Sequence, residues 1–177
     1  GIRQYDYFKK YELSRELHAR IFRYIEKKGM DWFSTPSHPT DVDMLTSLGV
    51  KAFKVGADDA TNIPLLKYIA RTGLPVFLST GMCEMKEVKE AVEAIRSEGN
   101  KQIVLFHTIS GYPTYAKDVN LSVLNTFKNE FPDLFIGFSD HTLTPTACIA
   151  AATLGADVIE RHFTLDKKAE GPDHVIS

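Results

Sequence analysis

The chain has 177 residues, 44% of them hydrophobic, so it is long enough to bury the core of one domain. Its formal net charge of −2 and isoelectric point near 6.3 predict no electrostatic attraction to nucleic acid or an anionic membrane. It has two cysteines without metal-finger spacing, and no apolar run of the roughly 18–20 residues that a membrane span needs. These features predict a reduced, cytoplasmic protein with neither nucleic acid nor membrane as partner.

Two hydrophobic periods alternate along the chain. Apolar residues three or four apart indicate helices, and short apolar or β-branched runs indicate strands. The predicted elements, in chain order, are a helix over residues 13–25; strands at 31–35, 52–56 and 75–80; a helix over 85–95; strands at 102–107 and 134–140; a helix over 147–154; and a strand at 157–163. This alternation predicts an α/β protein with a parallel sheet covered by helices.

The polar residues favour one type of parallel sheet. A doubly wound dinucleotide fold would need G-x-G-x-x-G and a P-loop would need G-x-x-x-x-G-K-[ST], and neither motif is present. Polar side chains instead occur at the carboxyl ends of nearly all the predicted strands: Ser34, Thr35, Lys54, Ser79, Thr80, His107, Ser139, Asp140, His141 and His162. Only a barrel brings all its strand ends to one point, so we predict a (β/α)8 TIM barrel.

Two histidines are candidate metal ligands. His141 follows one predicted strand and His162 ends the next. Neighbouring strand ends lie roughly 5 Å apart, so the two imidazoles could share one divalent cation with several coordination positions left open. The alternative is a pair of hydrogen-bonded histidines in a polar barrel mouth.

Other candidates are weaker when taken singly. Lys54 lies within a strand, where its ammonium is costly unless it reaches an anion; alternatively it extends to solvent. Asp59 could serve as an acid or base, although surface aspartates are common. Three small hydroxyls at strand ends could bind phosphate or carboxylate, or could be turn and cap residues: Thr35, Ser110 and Ser139.

The motifs together resemble a known family. "FSTP", "STGM", "HTISGYP", "GFSDHT" and "ERHFTLDK", followed by "EGPDH", are similar to motifs of the sialic acid synthases, over about residues 10–177. Members make N-acetylneuraminate, legionaminate or pseudaminate, and related proteins act in spore coat polysaccharide synthesis. The resemblance implies a TIM barrel that condenses phosphoenolpyruvate with an N-acyl amino sugar and releases phosphate. It also implies a bound Mn²⁺ or Mg²⁺.

The resemblance assigns roles to residues of this chain. The implied metal ligands are His141 and His162. The implied phosphoenolpyruvate contacts are Thr35, Lys54, Ser110 and Ser139, and the implied sugar contacts are Tyr112 and Asp173. The chain departs from the family at "GADDATN", where many members have Ser-Phe-Glu or Ser-Gly-Glu after Gly56. Asp59 then becomes the predicted catalytic carboxylate, and its shorter side chain hints at a different sugar. The usual "HCTS" is also "HTIS" here.

The same resemblance predicts an incomplete enzyme. We expect residues 1–177 to hold about strands 3 to 8 of a barrel, without its first two βα units and without a C-terminal antifreeze-like domain. The full-length protein would be a homodimer, whereas this chain alone would be inactive and would self-associate or be poorly stable. Two alternatives stay open: another pyruvate- or phosphoenolpyruvate-using aldol synthase, with Lys54 as the candidate Schiff-base lysine, and a non-catalytic binding or scaffold module.

Overall fold

The computed structural model describes residues 3–171 and 173–177. The α-helices are α1 (Gln4–Tyr11), α2 (Arg15–Lys27), α3 (Pro39–Ser47), α4 (Ile63–Ala70), α5 (Met85–Ser97), α6 (Ser122–Glu130) and α7 (Thr146–Thr153). The strands are β1 (Phe53–Val55), β2 (Val76–Ser79), β3 (Ile103–Thr108), β4 (Phe135–Asp140) and β5 (Val158–Arg161). Short 3₁₀ helices occur at Ala116–Asp118 and His174–Ile176. Within these described ranges, no helix has the length and apolar character that a membrane crossing requires.

The five strands form one parallel sheet in the order β1-β2-β3-β4-β5. Each strand therefore pairs with the next one in sequence, and the intervening helices return the chain to the same end of the sheet. This is the repeating βα arrangement of a barrel, of which the sheet forms about half. The predicted α/β barrel class is confirmed.

The first predicted strand is wrong. Residues 31–35 contribute one isolated bridge, between Ser34 and Phe53, in which the Ser34 carbonyl accepts a hydrogen bond of 3.0 Å from Lys54 N. Pro36 follows immediately and has no N–H with which to extend a ladder. The segment is therefore extended but pairs at a single residue. Leu13 was also predicted to be helical, but it lies before the start of α2.

The helices pack their apolar faces on one side of the sheet. The i, i+3, i+4 spacing that predicted α5 buries Val88, Val92 and Ile95 completely or nearly so. Gly99 ends that helix with a φ of 84°, a conformation that glycine adopts without strain. This packing fixes the sheet and leaves its strand ends free to carry polar side chains.

Aromatic rings form a layer across the sheet beneath those polar ends. Phe33 stacks on Phe77 with ring centroids 4.9 Å apart, and Phe77 stacks on Phe106 at 6.2 Å. Gly137 on β4 makes room for the last ring, because a Cβ there would lie 2.5 Å from two carbon atoms of Phe106. The layer forms an apolar floor for the site described next.

Candidate active site

A cavity of about 640 Å³ opens at the carboxyl ends of the strands. Its lining residues are Thr35, Lys54, Gly56, Ala57, Asp58, Ser79, Met82, Thr108, Ser110, Tyr112, Ser139, His141, Glu160, Arg161 and His162. Most of them recur at every second position along or just beyond a strand, as side chains on one face of a sheet do. The topology thus brings polar groups from five successive βα units to one place.

Lys54 is at the centre of a polar cluster. Its Nζ donates a hydrogen bond of 2.7 Å to Ser79 Oγ and lies 3.6 Å from Glu160 Oε1. Ser139 Oγ donates to the same carboxylate oxygen of Glu160 at 2.7 Å. Burial lowers the pKa of the Lys54 ammonium, and the attraction of Glu160 opposes this shift. The cluster therefore holds a buried cation at the end of β1 with one carboxylate beside it.

His141 and His162 face each other across the same cavity, with ring centroids 5.3 Å apart. The Nδ1 of His141 lies 2.7 Å from the Ile109 carbonyl oxygen, which can only accept, so this nitrogen carries the proton. The Nε2 of His141 is thereby left with a free lone pair. Burial lowers the pKa of His141, and the neighbouring His162 acts in the same direction. The ring of Tyr112 lies 4.2 Å from that of His141.

An ion pair lies next to the two histidines in sequence. Asp140 and Arg161 are cross-strand partners at the ends of β4 and β5, and Arg161 Nη1 lies 3.4 Å from Asp140 Oδ2. The guanidinium also donates to the carbonyl oxygens of Thr142, at 2.7 Å, and Thr144, at 2.9 Å. Arg161 thus ties the loop after β4, which begins with His141, to the strand that leads to His162.

The Asp140 side chain is fully buried and well satisfied. It accepts hydrogen bonds from Thr142 N at 2.9 Å, from Thr142 Oγ1 at 3.2 Å and from Cys148 Sγ at 3.0 Å. Burial, followed by the contact with Asp140, raises the pKa of the Cys148 thiol to about 11. The thiol is therefore a hydrogen-bond donor in this network rather than a nucleophile.

Seven of the nine predicted site residues line the cavity: Thr35, Lys54, Ser110, Tyr112, Ser139, His141 and His162. Asp59 and Asp173 do not. Asp59 Oδ1 accepts a hydrogen bond of 3.1 Å from Asn62 Nδ2, near the start of α4. Asp173 Oδ2 lies 3.6 Å from His162 Nδ1. The structure thus places Asp59 outside the cavity, and Asp173 beside a predicted ligand rather than in the lining.

Five polar cavity residues were not predicted as site residues: Asp58, Ser79, Thr108, Glu160 and Arg161. Two signals in the sequence pointed to three of them. The run Glu160, Arg161 and His162 places three ionisable groups at the end of a buried strand, and Ser79 ends a strand in "STGM". No sequence signal distinguished Asp58 from its neighbour Asp59, because both lie in one turn.

The histidine pair fits a divalent cation that keeps most of its coordination positions for other ligands. Their separation lets one nitrogen of each ring reach the same ion, and a hydrogen bond from the second nitrogen to a carbonyl is typical of metal-bound histidine. Within residues 3–171 and 173–177, no group of three or more His, Cys, Asp or Glu side chains is arranged to hold a metal. Held by His141 and His162 alone, such an ion would differ from a closed structural zinc centre, which has four protein ligands.

Comparison with known proteins decides the family. The model of the NeuB family matches residues 1–177. The chain belongs to the NeuB family. The N,N'-diacetyllegionaminic acid synthase of Legionella pneumophila is a relative with 40% identity over 178 residues, covering 98% of this chain and 50% of that protein.

Two crystal structures resemble the fold closely. The spore coat polysaccharide biosynthesis protein SpsE of Bacillus subtilis has a TM-score of 0.90 and 40% identity, covering 94% of this chain and 47% of that one. The N-acetylneuraminic acid synthetase of Leptospira borgpetersenii, in complex with citrate, has a TM-score of 0.93 and 32% identity, covering 97% and 60%. The chain spans about half the length of the curated relatives it matches. The resemblance to sialic acid synthases is confirmed at the level of the NeuB family.

Proposed function

We propose that the whole protein condenses phosphoenolpyruvate with an N-acyl hexosamine to form a nonulosonic acid, with release of phosphate. The observation that carries this proposal is the joint placement of the Lys54 cluster and the His141–His162 pair in one cavity of a NeuB-family chain. The Lys54 cluster offers a cation and hydroxyls to an anion. The histidine pair offers two nitrogen ligands to a metal ion beside that anion. Relatives are named legionaminic acid and N-acetylneuraminate-9-phosphate synthases, which supports the same class of reaction.

The anionic substrate would bind at the Lys54 end of the cavity. Lys54 would pair with its phosphate or carboxylate, and three hydroxyls would donate hydrogen bonds to it: Thr35, Ser110 and Ser139. Ser139 now donates to Glu160, so it would have to exchange this partner for the substrate. Thr108 Oγ1 also supports a polar ligand here, because in the described part of the chain it is the one buried side-chain oxygen or nitrogen without a partner.

The charges of the lining support a divalent cation. Lys54 and Arg161 are balanced by Asp58 and Glu160, so the cavity carries no excess positive charge when its histidines are neutral. Phosphoenolpyruvate carries several negative charges and would gain little from such a lining alone. His141 and His162 would hold Mn²⁺ or Mg²⁺, and the imidazoles favour Mn²⁺ of the two. When bound, the ion would supply charge stabilisation and polarise the aldehyde of the open-chain sugar.

The residues of the chain would act mainly by positioning. Lys54 and the hydroxyls fix phosphoenolpyruvate so that its nucleophilic carbon faces the sugar carbonyl, which lies toward the histidines. A new carbon–carbon bond would then form as the sugar carbonyl oxygen takes up a proton. Water would add to the resulting cationic carbon with loss of a proton, and the carbonyl would form as phosphate leaves. Tyr112, stacked beside His141, would contact the sugar, while Asp173 would orient His162 or a sugar group. Positioning and preorganised charge are the largest sources of catalysis available to such a site.

One observation favours a second candidate function. Burial lowers the pKa of Lys54, which is the change that makes a lysine a better nucleophile toward a carbonyl. A pyruvate aldolase would use Lys54 to form a Schiff base. Treatment of the whole protein with pyruvate and borohydride separates the two candidates, since only the aldolase gives a trapped adduct on Lys54.

The direct test is phosphate release from phosphoenolpyruvate by the whole protein. A panel of N-acyl hexosamines is supplied one at a time, with and without Mn²⁺. We expect release that requires both a hexosamine and the ion, with formation of a nonulosonic acid. Phosphate release without any sugar, or none with any sugar, would contradict the proposal. We also propose that the whole protein is a cytoplasmic homodimer, which light scattering of the purified protein tests for the oligomeric state.

A further inference from the structure

Two consecutive aspartates after β1 face different surroundings. Asp59 accepts a hydrogen bond from Asn62 Nδ2, and the amide oxygen of Asn62 in turn accepts one of 3.3 Å from Leu65 N at the start of α4. Asp59 is therefore part of the capping arrangement of that helix. Asp58 is more exposed and lines the cavity. The two carboxylates have the same chemistry and adjacent positions but different roles in the structure.

The Asp58 carboxylate folds back over the backbone toward the cavity. A Cβ placed on Gly56 would lie only 2.2 Å from Asp58 Oδ1, so the carboxylate occupies the space that a side chain at position 56 would take. Its charge reaches two other lining residues. Burial is the largest cause of the raised pKa of Tyr112, and the acidic neighbours Asp173, Glu160 and Asp58 raise it further. Asp58 likewise favours the charged form of Lys54.

A carboxylate in this position distinguishes an anionic substrate such as phosphoenolpyruvate from an uncharged sugar. An ionised carboxylate only accepts hydrogen bonds, so it binds hydroxyl and amide N–H groups and repels phosphate and carboxylate. The Asp58 charge also reaches Tyr112, whose ring lies beside that of His141. Both features suit an uncharged polyhydroxylated molecule rather than phosphoenolpyruvate.

We infer that Asp58, and not Asp59, is the carboxylate that binds the uncharged co-substrate, accepting hydrogen bonds from its hydroxyl or amide groups. This inference rests on the proposed synthase function and adds to it a residue that determines sugar recognition. It also replaces the prediction that Asp59 is the catalytic carboxylate, because Asp59 is engaged at the start of α4 and does not line the cavity.

The test compares Asp58→Ala with Asp59→Ala in the whole protein. For Asp58→Ala we expect KM for the best hexosamine of the panel to rise roughly tenfold or more, the loss typical of a hydrogen bond to a charged group. The melting temperature should change far less, because Asp58 is exposed. The KM for phosphoenolpyruvate should not rise, because the variant removes a charge that repels phosphate and carboxylate. Asp59→Ala should lower the melting temperature more and raise the hexosamine KM less.

A second variant keeps the carboxylate but moves it. In Gly56→Ala the new methyl group displaces Asp58 Oδ1, so the hexosamine KM should rise again with Asp58 still present, and Asp58→Ala should add little to that rise. If Asp59→Ala raises the hexosamine KM more than Asp58→Ala does, the inference is wrong while the synthase function stands. If the wild-type protein releases no phosphate with any hexosamine, the inference and the synthase function are both wrong.

Discussion

Asp140 and Arg161 form an ion pair, with Oδ2 and Nη1 3.4 Å apart, one residue before each of the two cavity histidines. The Asp140 side chain is inaccessible to solvent, whereas the Arg161 side chain is 27% exposed. The pair joins the ends of β4 and β5 on the side where α7 contributes Cys148. The ion pair thus connects the two chain segments that carry His141 and His162.

Arg161→Met should destabilise the whole protein. It leaves Asp140 buried without a cation and frees two loop carbonyls, so we expect a loss of about 2–4 kcal/mol in the free energy of unfolding. Arg96→Met is the matched control, because Arg96 pairs with the exposed Asp133 and should cost less than about 1 kcal/mol. Urea unfolding measures both. Equal losses would show that the buried pair contributes no more than a surface pair.

The histidine pair should control metal binding. We expect His141→Ala or His162→Ala to weaken Mn²⁺ binding roughly tenfold or more, since each removes one of two protein ligands, and to abolish turnover. Titration of Mn²⁺ followed by electron paramagnetic resonance measures the affinity without requiring activity. His18→Ala is the control, because His18 lies on α2, is partly exposed and does not line the cavity. A histidine variant with normal turnover in chelated buffer would exclude the metal role.

Lys54→Met should affect one substrate. If Lys54 binds phosphoenolpyruvate, the variant should raise KM for that substrate far more than KM for the hexosamine. Steady-state phosphate release at varied concentrations of each substrate gives both constants. Equal increases in the two KM values would indicate a general distortion of the cavity instead.

The same variant should change how stability depends on pH. The pKa of Lys54 is lowered in the folded protein, so as pH rises toward 10.5 the folded state loses this proton before the unfolded state does. The unfolded state then binds more protons, and stability increases with pH. Wild-type protein should therefore gain stability relative to Lys54→Met between neutral pH and 10.5. A constant difference across that range would mean that burial does not disfavour the ammonium.

His107 should make the protein sensitive to acid. It is 4% exposed, its Nε2 donates a hydrogen bond of 2.7 Å to the Val119 carbonyl, and burial lowers its pKa below 6.5. As pH falls below 6.5 the unfolded state takes up a proton first, so stability decreases. His107→Gln should reduce this loss between pH 6.5 and the lowered pKa. Melting temperatures of both proteins across this range measure the effect, and parallel curves would contradict it.

The sequence was sufficient for the five strands and for helices α2, α5 and α7, whereas α3, α4 and α6 were not predicted. The apolar runs of β1 to β5 fell where strands were predicted, because parallel strands covered by helices need continuous apolar character. Residues 31–35 have the same character but pair only at Ser34, since strand formation depends on partners that composition does not specify. Helix α1 was not predicted, because its "QYDYFKKY" sequence has no clear apolar stripe.

The candidate site was predictable for residues on or next to strands, because alternate side chains of a strand face the same side of the sheet. Lys54, Ser139, His141 and His162 lie at strand ends, where alternate residues face the same side, and all four line the cavity. Turn residues follow no such rule. Asp58 and Asp59 could be distinguished only by the hydrogen bond of Asp59 to Asn62. The pairing of Glu160 with Lys54 joins residues 106 positions apart in the sequence, and no local pattern encodes it.

The glycine at position 137 has a consequence for a residue three strands away. The Phe106 ring fills the space above Gly137, and Lys54 Nζ lies 5.7 Å from the centre of that ring. A side chain at position 137 would displace the Phe106 ring, on which the Lys54 ammonium lies. The Phe106 ring therefore lies between Gly137 and the Lys54 ammonium and limits where the ammonium can be placed. The surroundings of the Lys54 ammonium thus depend on β4, through the absence of a side chain at position 137.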